Sequence, residues 1–376
     1  MTATPNPLAS EAPRRAAGAR ALEHFLEAGF ARIEPPILQP ASSFLDMSGE
    51  EIRGRLYLTS DASGEELCLR PDYTIPVCLA HLASASEPAQ YAYLGPVFRA
   101  RPGQRGEMTQ TGVESYGRAD TEAADAEMLA LALEAAASAG AGSLKVRIGD
   151  VRVFDGLIGA LGLADAWRRR VRRGLALGKP LATILGAGNG ANGQAGVLAA
   201  LERADHKGAK ALVQDLLAIA GIATVGGRDV SEIADRFLEQ AAERAEGGVG
   251  SDSQAILTRF LAISGDPDAS AAKLRALAFE AKLDIGALVD SFEERIGFLA
   301  ARGLPIGEFR YDAGFVRDLD YYTGFVFEAV DAQDASAKPA LVGGRYDRLA
   351  RRMGAATDIP AIGAAIWIDR LPLAGA

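Results

Sequence analysis

Val97-Phe98-Arg99, a short loop, and Gln110-Thr111-Gly112-Val113-Glu114 read as two strands joined by a turn, and the fold is decided here. In a strand every second side chain shares a face, so Gln110 and Glu114 point the same way. Gly112 leaves room between them, which makes a polar floor with an open centre. Arg99, at the end of the first strand, lies near that floor if the two strands pair. A solvated sheet face satisfies the same alternation.

Working outward, the N-terminal side alternates helix and strand. A helix is expected from about Pro13 to Ala28, with Leu22, Phe25 and Leu26 on one face and Gly29 as its stop. Ile33 to Leu38 passes through Pro35 and Pro36 and must be extended. Tyr57 to Leu69 reads as a hairpin turning at Asp61-Ala62-Ser63-Gly64. Strands are expected over Ala92 to Arg99 and Thr109 to Tyr116, a helix over Glu122 to Ala139 and a buried strand over Leu144 to Ile148. From about Phe154 to Gly303 the texture turns helical, ending in a stripe of Leu288, Phe292, Ile296 and Leu299. Strand character resumes over Phe315 to Glu328 and near Ala361 to Ile368. No internal repeat is visible. The pattern is that of one α+β core, residues 1–150 and 305–376, interrupted by a mostly helical insertion, residues 151–304.

Composition narrows the function classes. The chain has 376 residues, 49% hydrophobic and 24% charged, with a formal net charge of −9. Proteins that grip a phosphate backbone usually carry a basic excess, so this balance speaks against nucleic-acid binding as the main task. No run approaches the roughly 18 apolar residues of a membrane span. The N-terminus lacks the apolar core of a signal peptide. Two cysteines, Cys68 and Cys78, are too few for a disulfide framework, and a cytoplasmic setting is expected.

Further segments carry chemistry. Leu69-Arg70-Pro71-Asp72-Tyr73-Thr74 sets an acid and a hydroxyl two apart beside a proline, which suits an ammonium group; taken alone, the segment reads rather as a helix N-cap by Asp72 or Thr74. Val316-Arg317-Asp318-Leu319-Asp320-Tyr321-Tyr322-Thr323-Gly324 offers an arginine for a carboxylate or phosphate and tyrosines for a flat wall. Gly343-Gly344-Arg345-Tyr346-Asp347, Pro360-Ala361-Ile362-Gly363 and Asp369-Arg370-Leu371 complete the set. Other features are weaker. Gly188 to Gly193 matches a dinucleotide pattern but lacks the acidic residue about 20 residues on, and reads as an inter-helix loop. The five arginines between Trp167 and Arg173 read as a solvated helix face, with a partner interface as the alternative. His24, His81 and His206 have no metal-ligand spacing, so neither a metal nor a cofactor is expected.

Taken in order, these segments resemble the histidine branch of the class II aminoacyl-tRNA synthetases over residues 14–150 and 305–376. Gly29 to Pro36 is similar to the first motif, which makes the dimer interface. Leu69 to Thr74 resembles an LRPE-x-T segment, Phe98 to Glu114 the second motif, and Arg317 to Thr323 the G-L-D-Y-Y-T signature. Gly343 to Asp347 and Pro360 to Leu371 resemble the GGRYD segment and the third motif. The resemblance implies an antiparallel sheet flanked by helices. It also implies a histidine site: Asp72, Thr74 and Gln110 for the amino group, Glu114 and Tyr322 for the imidazole with Tyr321 beside it, and Arg317 and Arg99 for the carboxylate.

The sequence departs from that family mainly on the nucleotide side. Arg101 stands where a synthetase has an acid, and the loop from Arg101 to Thr109 is short. Trp367 replaces a glycine on which adenine would lie, and Asp369 replaces a glutamate. Arg370 is retained, and Asp72 takes the place of a glutamate on the histidine side. The sequence ends five residues after Leu371, where an anticodon-binding domain follows in the synthetases. A histidine site with an altered ATP side and no tRNA domain resembles the regulatory subunits of ATP phosphoribosyltransferase. That resemblance implies a non-catalytic, allosteric chain in histidine biosynthesis. It would form a homodimer through the first-motif region and a hetero-octamer with the short-form catalytic subunit, take L-histidine as effector, and engage neither tRNA nor membrane. A histidine-activating ligase acting on a non-tRNA acceptor is the alternative.

Overall fold

The computed structural model describes residues 7–48, 53–84, 86–103, 105–163, 165–186, 249–315, 321–334 and 336–373. They fall into two compact units, one drawn from residues 1–154 and 261–376 and the other from residues 155–260. Gly188 to Gly193, His206 and Arg317 lie outside the described residues.

The first unit opens with α1 (Pro7–Glu27), β1 (Ala31–Arg32), β2 (Leu38–Pro40), α2 (Ser42–Ser48), β3 (Leu58–Ser60) and β4 (Glu66–Leu69). It continues through α3 (Thr74–Ser84), β5 (Ala89–Phe98), β6 (Glu107–Tyr116), α4 (Thr121–Ser138) and β7 (Leu144–Asp150). After α5 (Val151–Ala160), the second unit contains α6 (Asp165–Ala176) and α7 (Leu181–Gly186), and α8 (Ser251–Leu261) leads back. The first unit then resumes with β8 (Ser264–Gly265), α9 (Pro267–Glu280), α10 (Gly286–Ala301) and β9 (Arg310–Asp312). It closes with β10 (Phe325–Asp331), β11 (Leu341–Arg345), α11 (Leu349–Arg352) and β12 (Ala361–Trp367).

Among the described residues these strands build a nine-stranded sheet, ordered β1-β5-β6-β12-β11-β10-β7-β9-β8, and a three-stranded sheet, β2-β4-β3. The large sheet is antiparallel through its centre, but β1–β5 and β7–β9 pair in parallel, so the sheet is mixed. Two spans differ from the sequence expectation. Helix α1 starts at Pro7, ahead of Pro13, because a proline marks a possible first turn without fixing which one is used. The last strands begin at Phe325: Tyr321 and Tyr322 suit a strand by propensity, but they precede it, with their rings buried.

One pairing fixes which face carries function. Gly18 of α1 packs toward Leu94 of β5, and Leu94 stands opposite Thr111 of β6. Paired residues share a face, so the helix-covered side holds Leu94 and Thr111. The opposite side therefore holds Tyr91, Tyr93, Gln110, Gly112 and Glu114, and from β12 their partners Gly363, Ala365 and Trp367. Under the sheet, Arg295 of α10 lies 2.8 Å from both Asp125 of α4 and Asp150 of β7, while Arg345 of β11 lies 2.7 Å from Asp125. All four side chains are buried, tying two helices to two strands. Among the described residues no helix is long and apolar enough to cross a membrane.

In the second unit, Trp167 and Val171 form the buried stripe of α6. The arginines expected there are engaged: Arg170 lies over the Trp167 ring at 4.7 Å, and Arg172 pairs with Asp155 at 3.1 Å.

Candidate functional site

Glu114 sits at the centre of the open face, 1% exposed. The hydroxyl of Thr74, the first residue of α3, donates to its Oε1 at 2.9 Å, and the Tyr93 hydroxyl approaches the same oxygen at 3.4 Å. The Tyr346 hydroxyl donates to Oε2. Burial pushes the Glu114 carboxyl up to about 8. The Tyr346 and Thr74 hydrogen bonds pull it down, and the charge of Asp72 adds to the rise. Glycine is required opposite: a Cβ on Gly363 would lie 1.7 Å from Oε2 of Glu114. A Cβ on Gly112 would lie 2.6 Å from the Tyr93 hydroxyl.

Asp72 precedes α3 and is 6% exposed. Burial raises its pKa, opposed by Arg99 and by the backbone N–H groups of Ile75 and Thr74. It therefore lies at the helix N-terminus, as the capping alternative allows, and it also enters the site, since its charge acts on Glu114. Arg99 Nη2 stands 3.8 Å from Asp72 Oδ2. Among the described residues, Asp72 Oδ1 and Gln110 Oε1 are buried without a hydrogen-bond partner. Buried acceptors left unpaired are costly, and a bound donor such as an ammonium group removes the penalty. The Tyr321 and Tyr322 rings, 4.8 Å apart, lie on the same side, Tyr321 edge-on to Tyr346 at 5.8 Å and Tyr322 against Gly344.

The structure thus brings Asp72, Thr74, Arg99, Gln110, Glu114, Tyr321 and Tyr322 together, while Arg317 is outside the described residues. Two groups in the cluster had no role assigned from sequence, Tyr346 and Tyr93. Tyr346 stood in a quoted motif, and Tyr93 pairs with Gly112, the one gap in the floor.

A second, cationic end adjoins this acidic cluster. Gly363 and Trp367 are four residues apart on β12 and share its open face. The Trp367 ring, 2% exposed, lies 4.6 Å from the Arg99 guanidinium and 4.3 Å from that of Arg370. Asp369 is turned elsewhere, accepting from the Thr109 N–H at 2.6 Å and from Arg14 at 3.3 Å.

Arg70 holds the acidic side in place. Its guanidinium donates to the carbonyls of Pro35 at 2.6 Å and Pro96 at 2.9 Å and to the Tyr73 hydroxyl, while its N–H donates to Ile37 at 2.9 Å. The three-stranded sheet and the Asp72–Thr74 turn are therefore pinned to β5 by one side chain. Ile37, Leu38, Tyr57 and Leu58, on or beside that small sheet, are exposed.

Comparisons with known proteins agree with this architecture. The family profile described as histidyl-tRNA synthetase matches residues 7–223 and 206–371. An ATP phosphoribosyltransferase regulatory subunit from Brucella canis is 40% identical over 345 residues, covering 90% of this chain and 92% of that protein. Its counterpart from Brucella melitensis biotype 1 is also 40% identical, covering 90% and 91%. Among solved structures, an ATP phosphoribosyltransferase regulatory subunit/histidyl-tRNA synthetase from Bacillus halodurans superposes with a TM-score of 0.66 at 22% identity, covering 98% of this chain and 82% of that one. Histidyl-tRNA synthetase from Nostoc superposes with a TM-score of 0.64 at 19% identity, covering 95% and 70%. The fold is that of the class II synthetases, and the chain belongs to the histidyl-tRNA-synthetase-like family of ATP phosphoribosyltransferase regulatory subunits.

Proposed function

We propose that this chain is a non-catalytic, cytoplasmic subunit that binds L-histidine in the Asp72–Glu114 site and controls a short-form ATP phosphoribosyltransferase catalytic subunit. The observation that carries the reading is the pair of buried, unpartnered acceptors, Asp72 Oδ1 and Gln110 Oε1, beside the hydroxyl-ringed Glu114. An amino acid with a basic ring supplies donors to all three. Asp72, Thr74 and Gln110 take its ammonium group, Glu114 and Tyr322 its imidazole with Tyr321 as wall, and Arg317 with Arg99 its carboxylate. Regulation follows by linkage: histidine binds one quaternary state better than another and shifts the population, giving feedback inhibition of the first step of histidine biosynthesis. Activation of the catalytic subunit, a homodimer through the first-motif region and a hetero-octamer complete the reading. The 40% identity to proteins named as regulatory subunits supports it, and the exposed Ile37, Leu38, Tyr57 and Leu58 give the homodimer an apolar surface. The test is reconstitution: the purified chain added to a short-form catalytic subunit should raise its activity and make it histidine-sensitive. Failure to associate overturns the reading.

The histidine-activating ligase is the second reading, favoured by the synthetase profile and by the retained Arg370. Against it stand Arg101 in place of an acid and Trp367 packed between Arg99 and Arg370. Histidine-dependent exchange between pyrophosphate and ATP distinguishes the two.

A further inference from the structure

Among the described residues, every hydrogen-bond partner of the Glu114 carboxyl is a neutral hydroxyl: Thr74, Tyr93 and Tyr346. Among the described residues no cation faces it from the elements packed around it. Helix α3 presents Thr74 and Cys78, β5 presents Tyr93, and Glu114's own strand presents Tyr116. The segment before β10 presents Tyr321, and Asp72 adds negative charge from the turn before α3. His81, stacked on Tyr116 at 4.3 Å, is kept neutral by burial, and Arg99 faces Asp72 instead. A carboxylate with no countercharge in such a place holds its proton, and burial keeps Glu114 protonated up to about pH 8. Each hydroxyl can donate or accept, so the same ring of oxygens suits the acid before transfer and the anion after it.

Resting on the reading that histidine occupies this site, we propose that Glu114 passes its own proton to the incoming imidazole, so that the ligand is held as an imidazolium–carboxylate pair. The O–H bond of Glu114 breaks and an N–H bond forms at the bare ring nitrogen. Both charges stay inside the pair, and below about pH 8, where Glu114 still holds its proton, none is drawn from solvent. The countercharge that no described residue supplies to Glu114 is supplied by the ring once it carries that proton. The three hydroxyls then all donate to the carboxylate. The ligand class is an α-amino acid with a basic heteroaromatic side chain. A ring of the same shape with little basicity cannot complete the exchange.

The direct test uses the intact protein with ring-15N-labelled L-histidine at about pH 7.5, above the ordinary imidazole pKa of about 6.5. The bound ring should show two protonated nitrogens with imidazolium shifts. One protonated and one bare nitrogen overturns the transfer while leaving histidine binding intact. Absence of saturable binding overturns the histidine reading itself, and this inference with it. Calorimetry in buffers of differing ionisation enthalpy gives a second readout. The parent should take up about one more proton than Glu114→Gln at about pH 9, and the same number at about pH 6.5. An equal difference at both pH values contradicts the proposal. 1,2,4-Triazole-3-alanine, whose ring is far less basic, should bind the parent at least about tenfold more weakly than L-histidine, a gap of about 1.4 kcal/mol. Equal affinity for the two ligands contradicts the proposal as well.

Discussion

The guanidinium of Arg99 lies 4.6 Å from the centre of the Trp367 ring, on the face of the sheet where Gly363 leaves room for Glu114. The arginine expected to meet a carboxylate here rests on an indole, and Arg370 approaches the same ring. Removing the indole should reopen that end. Trp367→Gly is expected to gain about 1 kcal/mol of stability with ATP at about five times its Kd, while the parent gains none. Thermal melting with and without ATP checks this; an equal response in the parent contradicts it.

Glu114→Ala removes the floor of the acidic cluster without touching the exposed apolar residues of the small sheet. Loss of a hydrogen bond to a charged group, about 1.5–3 kcal/mol, should weaken histidine binding by about tenfold to a hundredfold or more. Assembly with the catalytic subunit should survive. Calorimetry and co-elution measure the two separately.

Tyr346→Phe deletes one hydroxyl and little volume. Because that hydrogen bond lowers the Glu114 pKa, its loss should raise the pKa further and reduce histidine affinity several-fold with an unchanged fold. Titration of bound and free protein by NMR, beside circular dichroism, reads both effects. A Glu114 pKa that falls instead would show that Tyr346 does not donate to it.

The pH dependence of stability has a definite sign. The folded Glu114 pKa, about 8, lies above the ordinary 4.5. The stabilisation from this group is therefore full below about pH 4.5 and is lost as pH rises toward about 8, as the unfolded chain ionises and the folded one does not. Urea unfolding of the ligand-free protein should show stability falling across that window by a few kcal/mol more than in Glu114→Gln. A window shared equally by both proteins would point to other groups.

Arg295→Ala should cost about 3–5 kcal/mol, because Asp150 stays buried without its close cation and Asp125 keeps only Arg345. Arg275, in exposed pairs with Asp290 and Glu293, should cost less than about 1 kcal/mol when changed to alanine. Paired urea titrations of the two variants test the contrast.

Much of the site could be read from spacing because strands convert it into position. Gln110, Gly112 and Glu114 share a face by alternation alone, and the sheet places them as that rule requires. What spacing could not supply is proximity across the fold. Tyr346 reaches Glu114 across 232 positions of sequence, and Tyr93 does so because its strand pairs with β6. The mixed character of the sheet was equally hidden. Strand β1 is two residues long, and its parallel pairing with β5 depends on where α1 delivers the chain. Burial misled at Tyr321 and Tyr322, whose aromatic character suits a strand as well as a pocket wall.

Arg70 makes the turn carrying Asp72 and the small outer sheet into one mechanical piece. If two copies meet on that sheet, the Asp72 end of each pocket is in register with the contact between them. Occupancy in one copy would then be felt in the other. A histidine titration of the assembled protein is where such cooperativity would register, as a binding curve steeper or shallower than a simple hyperbola, and Arg70→Met should return the curve toward independent sites.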